Sequence, residues 1–147
     1  PQGDWSSDVC SSDLIILCVD DRLGMLFNGR RLSRDSALVE DAVKLCKGSK
    51  LWVNEYSDGL FSRYGYSVQI CDPDFPENAG TDDFCFMEDC DPAPYRDKIG
   101  SIVLYRWNRR YPADTYFDAA LLQGRRLTGQ KEFPGSSHEK ITREVYR

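Results

Sequence analysis

The sequence predicts an α/β domain: a single mixed, mostly parallel sheet flanked by helices, with a C-terminal antiparallel hairpin. Three observations predict it. Short apolar runs rich in branched residues recur along the chain, as strands buried on both faces require. A segment with apolar residues at helical spacing follows the first of them. The chain ends in two partly alternating segments joined by Pro-Gly-Ser-Ser-His-Glu, the pattern of an antiparallel pair.

Residues 1–14 stand apart. They hold two Ser-Ser pairs, each followed by Asp, with three Asp in all and no basic residue. They carry neither a strand nor a helix period. Asp4 to Leu14 is similar, without a mismatch, to the one-frame translation of a common short-read sequencing adapter. The segment is therefore expected to be an artefactual or disordered leader, with one domain over 15–147. It lacks the basic start and apolar stretch of a signal peptide.

The first strand is expected at 15–20, running into an acidic loop at Asp20-Asp21 that continues to about Leu32. Ser33 is placed to cap a helix over 33–46. Leu38, Ala42 and Leu45, beside Val39, Val43 and Cys46, form adjoining apolar stripes on it. Lys44, Lys47 and Gly48 suit its end. Further strands are expected at 51–54, 67–71, 84–88 and 101–107, with a short helix at 57–63. An irregular acidic loop spans 72–83, and Asp91-Pro92 opens a helical turn. The closing pair is expected at 127–133 and 140–146.

Charge is unevenly spread. Without the leader's three Asp the formal net charge moves from −5 to −2. Residues 54–95 hold ten acidic residues against one Arg; residues 96–147 hold eleven basic against six acidic. Arg106, Arg109 and Arg110, interleaved with Trp107, Tyr111 and Tyr116, could form an RNA-binding face. The pI near 4.9 argues against general nucleic-acid affinity. Arg30, Arg31 and Arg34 suggest a local anion site. Five Cys remain without the leader, with no Cys-x-x-Cys, and His138 is the only histidine. No metal site is expected, and a zinc-dependent ribonuclease of the ribonuclease Z kind has too few histidines. Cys18, Cys71 and Cys85 read as buried thiols of a bacterial cytoplasmic protein. His138 reads as a turn residue, since a neighbouring Ser does not make a dyad.

With these elements placed, the chain resembles the dihydrofolate reductase family. Val19-Asp20, four residues before Gly24-Met25, looks like that family's first strand entering its active-site loop, and Asn28 sits near the loop's usual asparagine. Asp35 lies where many members place the carboxylate that binds the pterin. Tyr105 lies near a family threonine. Ile102 to Trp107, then Asp114-Thr115-Tyr116-Phe117, is similar to the strand and Asp-Thr-x-Phe segment of the family.

The resemblance implies a reductase-like but truncated fold. Asp35 is the implied catalytic residue. Asp20, Gly24, Met25, Asn28, Arg30, Arg31 and Tyr105 are the implied ligand-binding residues, and Arg63 is a candidate grip for a folate tail. The departures weigh against hydride transfer. The family's Gly-Gly turn before the helix that receives the cofactor phosphates is missing, and Arg30-Arg31-Leu32 stands in place of its Pro-Trp. Residues 84–101 leave no room for an extra strand and helix. NADPH is therefore disfavoured as cofactor. The expected function is a reductase-like scaffold without reductase activity that binds a small anionic or nucleotide-like ligand. The alternatives are a compact NADPH-dependent pterin reductase or an RNA-binding or RNA-processing protein that uses the C-terminal Arg/aromatic face. No membrane association is expected, and the sequence predicts no oligomeric state.

Overall fold

The computed structural model describes residues 13–67, 69–73, 83–89, 92–96 and 99–147. The central strand β1 is Asp13–Val19. Its first two residues fall inside the predicted leader, so the sheet starts earlier than composition suggested. Leu14 pairs with Phe84 and Ser101 on either side, and its backbone N–H donates to the Asp83 carbonyl at 2.9 Å. Residues 1–12 lie outside the described residues.

The segment expected to be an open loop is a small hairpin. β2 (Gly24–Phe27) turns through Asn28-Gly29 into β3 (Arg30–Arg31). Both turn residues have positive φ, 54° and 71°, as a two-residue type I′ hairpin turn demands. Helix α1 is Ser36–Leu45, capped by Asp35 rather than Ser33. Asp35 is extended at φ −155°, and its carboxylate accepts the Ala37 N–H. β4 (Leu51–Val53) leads through the cap Asn54 into α2 (Glu55–Arg63). β5 is only Ile70–Cys71, shorter than expected, and Val68 lies outside the described residues. Most of the acidic loop at 72–83, and Asp91, lie outside them too.

Among the described residues β6 (Phe84–Phe86) is followed by a 3-10 turn, Ala93–Tyr95, and then by β7 (Ile99–Arg106). β8 (Thr115–Tyr116) was not expected, nor was the 3-10 turn Ala119–Leu122. β9 (Leu127–Phe133) and β10 (Ile141–Tyr146) form the closing hairpin.

The main sheet has the order β9-β10-β7-β1-β6-β4-β5; β3-β2-β8 make a second, three-stranded sheet. β1 runs parallel to β6 and β7, and β4 parallel to β5 and β6. β10 is antiparallel to β7 and β9. The fold is thus a mixed, mostly parallel sheet flanked by helices, with a C-terminal antiparallel hairpin.

Alternation along β1 and β7 divides the core. Ile16, Val103 and Tyr105 face one cluster, under Leu38, Val39 and Ala42 of α1 and Leu60 and Phe61 of α2. Ile15, Leu17, Val19, Ile102 and Leu104 face the other, covered by Met25, Leu26, Phe117 and Leu121. Both faces of these strands are buried, which is why they read as unbroken apolar runs. Leu38 is 1% exposed. Leu38→Ala is expected to cost about 2–5 kcal/mol in chemical denaturation. A loss below about 1 kcal/mol would mean that α1 does not seal this face.

Candidate functional site

Parallel strands end where β1 meets Asp20 and β7 meets Trp107, the end of an α/β sheet at which ligands usually bind. Asp20 is fully buried there. One carboxylate oxygen accepts the N–H groups of Arg22 at 2.9 Å and Gly24 at 2.6 Å; the other accepts that of Tyr111 at 3.0 Å. Burial alone would raise its pKa, but these backbone donors outweigh it and lower the pKa. Asp20 thus ties the turn after β1 to the segment after β7. Gly24 has to be glycine: a Cβ would lie 2.6 Å from the Ala113 Cβ and 3.0 Å from Asp20 Oδ1.

Beside this anchor is a cleft of about 490 Å³, lined by residues of the β2–β3 hairpin, Leu32, Tyr111 and Pro112. Asn28 and Arg30, both expected at a ligand site, line it. The Asn28 N–H donates to Asp114 Oδ2 at 3.0 Å, which ties the hairpin tip to the segment before β8. Arg30 is exposed, and no described residue pairs with its guanidinium.

Arg31 also lines the cleft, but its charge is committed. Its Nη2 lies 2.6 Å from Glu88 Oε1, and its Nε lies 3.2 and 3.1 Å from the two carboxylate oxygens. It also donates to the Tyr56 carbonyl and stacks on the Tyr56 ring, 4.2 Å from its centroid. Glu88 accepts a further bond from Ser57 Oγ and is 5% exposed. This buried pair occupies the crevice at the ends of β4 and β6.

Asp35 is not a free carboxylate facing the cleft. Oδ1 accepts from the N–H groups of Ala37 and Ser136 and from Ser136 Oγ; Oδ2 accepts from the Ser137 N–H at 2.8 Å and lies 2.9 Å from His138 Nδ1. Burial alone would raise its pKa; the Ser136 and Ser137 N–H groups, then His138 and the Ser136 hydroxyl, hold it well below the usual carboxylate range. The loop between β9 and β10 wraps around this one side chain. Gly135 permits the approach, since a Cβ there would meet Asp35 Oδ2 at 2.5 Å.

His138 continues the chain of contacts. Its Nε2 lies 2.7 Å from the Tyr111 hydroxyl and 3.2 Å from Ser33 Oγ, and its ring stacks on Trp107 at 4.7 Å. The order is acid, imidazole, hydroxyl. Its oriented acid is Asp35, 103 residues away, and not the adjacent Glu139. The imidazole side chain is 2% exposed. The phenol holds the shorter bond to Nε2, so the arrangement locks three segments together beside the cleft.

Two further expected ligand residues sit elsewhere. Met25 packs in the core cluster under β1. Tyr105 is fully buried, and its hydroxyl donates to Asp41 Oδ2 at 2.7 Å on α1. Its position on β7 sends it to the α1 face. Arg63 ends α2 and does not line the cleft. Of the alternative RNA face, Arg109, Arg110 and Tyr116 are exposed, and two members are engaged elsewhere. Trp107 is buried, and Arg106 pairs with Glu144 at 2.7 Å. Among the described thiols Cys71 is exposed, against expectation, while burial pushes Cys46 up to about 12. Cys90 lies outside the described residues. Among the described residues no three His, Cys, Asp or Glu side chains group as metal ligands, and no helix is long and apolar enough to cross a membrane.

Sequence reasoning missed Glu88 and the roles of Tyr111 and His138. A carboxylate directly after the apolar run at 84–87 was a signal for Glu88, because it must find a cation to be buried. Gly135 beside Ser-Ser-His hinted at a close approach.

No family model matches the chain, and no curated protein matches it. Solved structures do. A dihydrofolate reductase from Enterococcus faecalis, complexed with NADP(H) and RAB-propyl, superposes with a TM-score of 0.64 at 7% identity. The match covers 93% of this chain and 96% of that one. At that identity the likeness is one of fold.

Proposed function

We propose that this chain is a reductase-fold protein that binds a small anionic or nucleotide-like ligand in the cleft beside Asp20 and does not reduce dihydrofolate with NADPH. The observation that carries the ligand reading is the pairing of an exposed, unpartnered Arg30 with an apolar wall. Phe27, Leu32, Pro112 and Tyr111 supply that wall. A flat apolar body with one anionic group meets complementary surfaces there.

The cofactor does not fit by the family's route. After β6 the chain carries Met87-Glu88-Asp89, not Gly-Gly, and the described residues before β7 form a 3-10 turn. Backbone N–H groups at a glycine turn and a helix N-terminus make a phosphate cradle. A buried carboxylate held by Arg31 is the opposite electrostatic choice. The compact pterin-reductase alternative is weakened further by Asp35, both of whose oxygens are already engaged. The RNA alternative loses Trp107 to the interior and Arg106 to its pair with Glu144.

The test is titration of the purified chain with folates and mononucleotides, followed by Arg30→Gln. At least one anionic ligand is expected to bind below about 1 mM, with affinity falling about tenfold in the variant. NADPH oxidation with dihydrofolate is expected at background. Saturable oxidation abolished by Asp35→Asn would overturn the non-reductase reading. Absence of any binding below about 1 mM would overturn the ligand reading.

A further inference from the structure

Four described arginines are half-buried: Arg31, Arg106, Arg125 and Arg143. Three of them have a carboxylate at 2.7 Å or closer, on Glu88, Glu144 and Asp41. Arg125 has none. Its guanidinium is held by backbone carbonyls alone: Nε donates to Leu121 at 3.1 Å, Nη1 to Gly100 at 2.7 Å and Nη2 to Ile99 at 2.9 Å. A guanidinium has five N–H donors, so one remains on each terminal nitrogen. A partly buried cation without a counter-charge costs free energy that a bound anion would recover.

Arg125 lines a cavity of about 510 Å³ together with Arg96, Gln123, Gly124 and Arg147. Arg96 and Arg147 are exposed, no described residue pairs with their guanidinium groups, and no Asp or Glu lines the cavity among the described residues. Three guanidinium groups and an amide thus share one concave space. The cavity lies where β7 begins and β10 ends, since Ile102 pairs with Tyr146. The cleft beside Asp20 lies at the other end of β7, an eight-residue strand that spans roughly 25 Å.

We infer that the cavity between the 119–125 segment, Arg96 and Arg147 is a second ligand site, which takes the dianionic phosphate group of a small molecule. Arg125 is its fixed element. The three carbonyls clamp its plane, so little side-chain freedom remains to be lost on binding. The free N–H on each terminal nitrogen suits two phosphate oxygens, as the guanidinium fork does generally. Arg96 and Arg147 close from the solvent side, and Gln123 adds an uncharged donor. Burial, with no described acid beside the group, also lowers the pKa of Arg125 from its usual value.

The experiment is calorimetric titration of the full chain at fixed ionic strength with inorganic phosphate and with phenyl phosphate. Variants at Arg125 risk the fold through the lost carbonyl clamp, so the double variant Arg96→Gln/Arg147→Gln is used, and all titrations are made in the Arg30→Gln background so that the cleft beside Asp20 does not contribute. Saturable binding below about 10 mM is expected in Arg30→Gln, weakened at least tenfold when Arg96→Gln/Arg147→Gln is added. Tighter binding of phenyl phosphate would assign a phosphate ester, and equal binding would assign free phosphate; both support the site. No saturation below about 10 mM in Arg30→Gln, or equal affinity after Arg96→Gln/Arg147→Gln is added, would overturn it.

Discussion

Replacing Asp35 by Ala is expected to destabilise the protein by about 3–5 kcal/mol, read as a fall in melting temperature of about 10–15 °C. The carboxylate is 1% exposed and accepts from three backbone N–H groups, those of Ala37, Ser136 and Ser137. It also faces two hydroxyls and the His138 ring. Bonds to a charged acceptor are individually stronger than neutral ones, and truncation strands several donors in a dry place at once. The loss also frees the β9–β10 loop from α1, which a cap substitution alone would not do.

The same residue makes the fold sensitive to acid. Its folded pKa lies below its unfolded value of about 3.9, so between the two the unfolded chain binds more protons. Its stabilising contribution is therefore present in full above about pH 5 and is lost progressively as pH falls below about 4. Asp20, also lowered, acts in the same direction. Melting curves from pH 7 to pH 3 are expected to fall less steeply for Asp35→Asn than for the wild type. Parallel curves would show that the network around Asp35 does not hold the loop.

The second large effect is expected at Arg31. Arg31→Ala removes the partner of Glu88, a carboxylate 5% exposed, and is expected to cost about 3–5 kcal/mol. The reason is the charge left behind. Ser57 Oγ is then the described side-chain donor that still faces Glu88, and the stacking on Tyr56 is lost as well. Arg31→Met with Glu88→Leu is expected to recover most of the loss, because two apolar side chains remove the buried charge altogether. A urea-denaturation cycle over the four proteins measures the coupling. A single Arg31 variant within about 0.5 kcal/mol of wild type would mean that Glu88 is solvated and that the crevice at the ends of β4 and β6 is open to ligands.

The strands were legible because their information is local. IILCV, LWV, FCF and SIVLYR are apolar on consecutive positions, and only strands buried on both faces need that. The same holds for the stripes of α1 and the alternation of β9 and β10. The hairpin through Asn28-Gly29 was legible as well, since Asn-Gly is the sequence mark of that turn; it passed as loop because β2 and β3 are so short. What lay beyond the sequence was the choice of partner for each polar side chain. Asp35 has the composition of a cap and of a ligand anchor alike, and only the return of the chain 101–103 residues later puts Ser136, Ser137 and His138 around it. Arg31 reads as part of a basic patch until Glu88, 57 residues on, takes its charge. Arg125 reads as one of many C-terminal cations until tertiary folding sets it on three backbone carbonyls, with no acid beside it among the described residues. Hydrophobic period is set by the geometry of one element, so the sequence alone determined which segments form the sheet. The pairing of buried charges is set by which distant segments meet, and that was decided only by the tertiary structure.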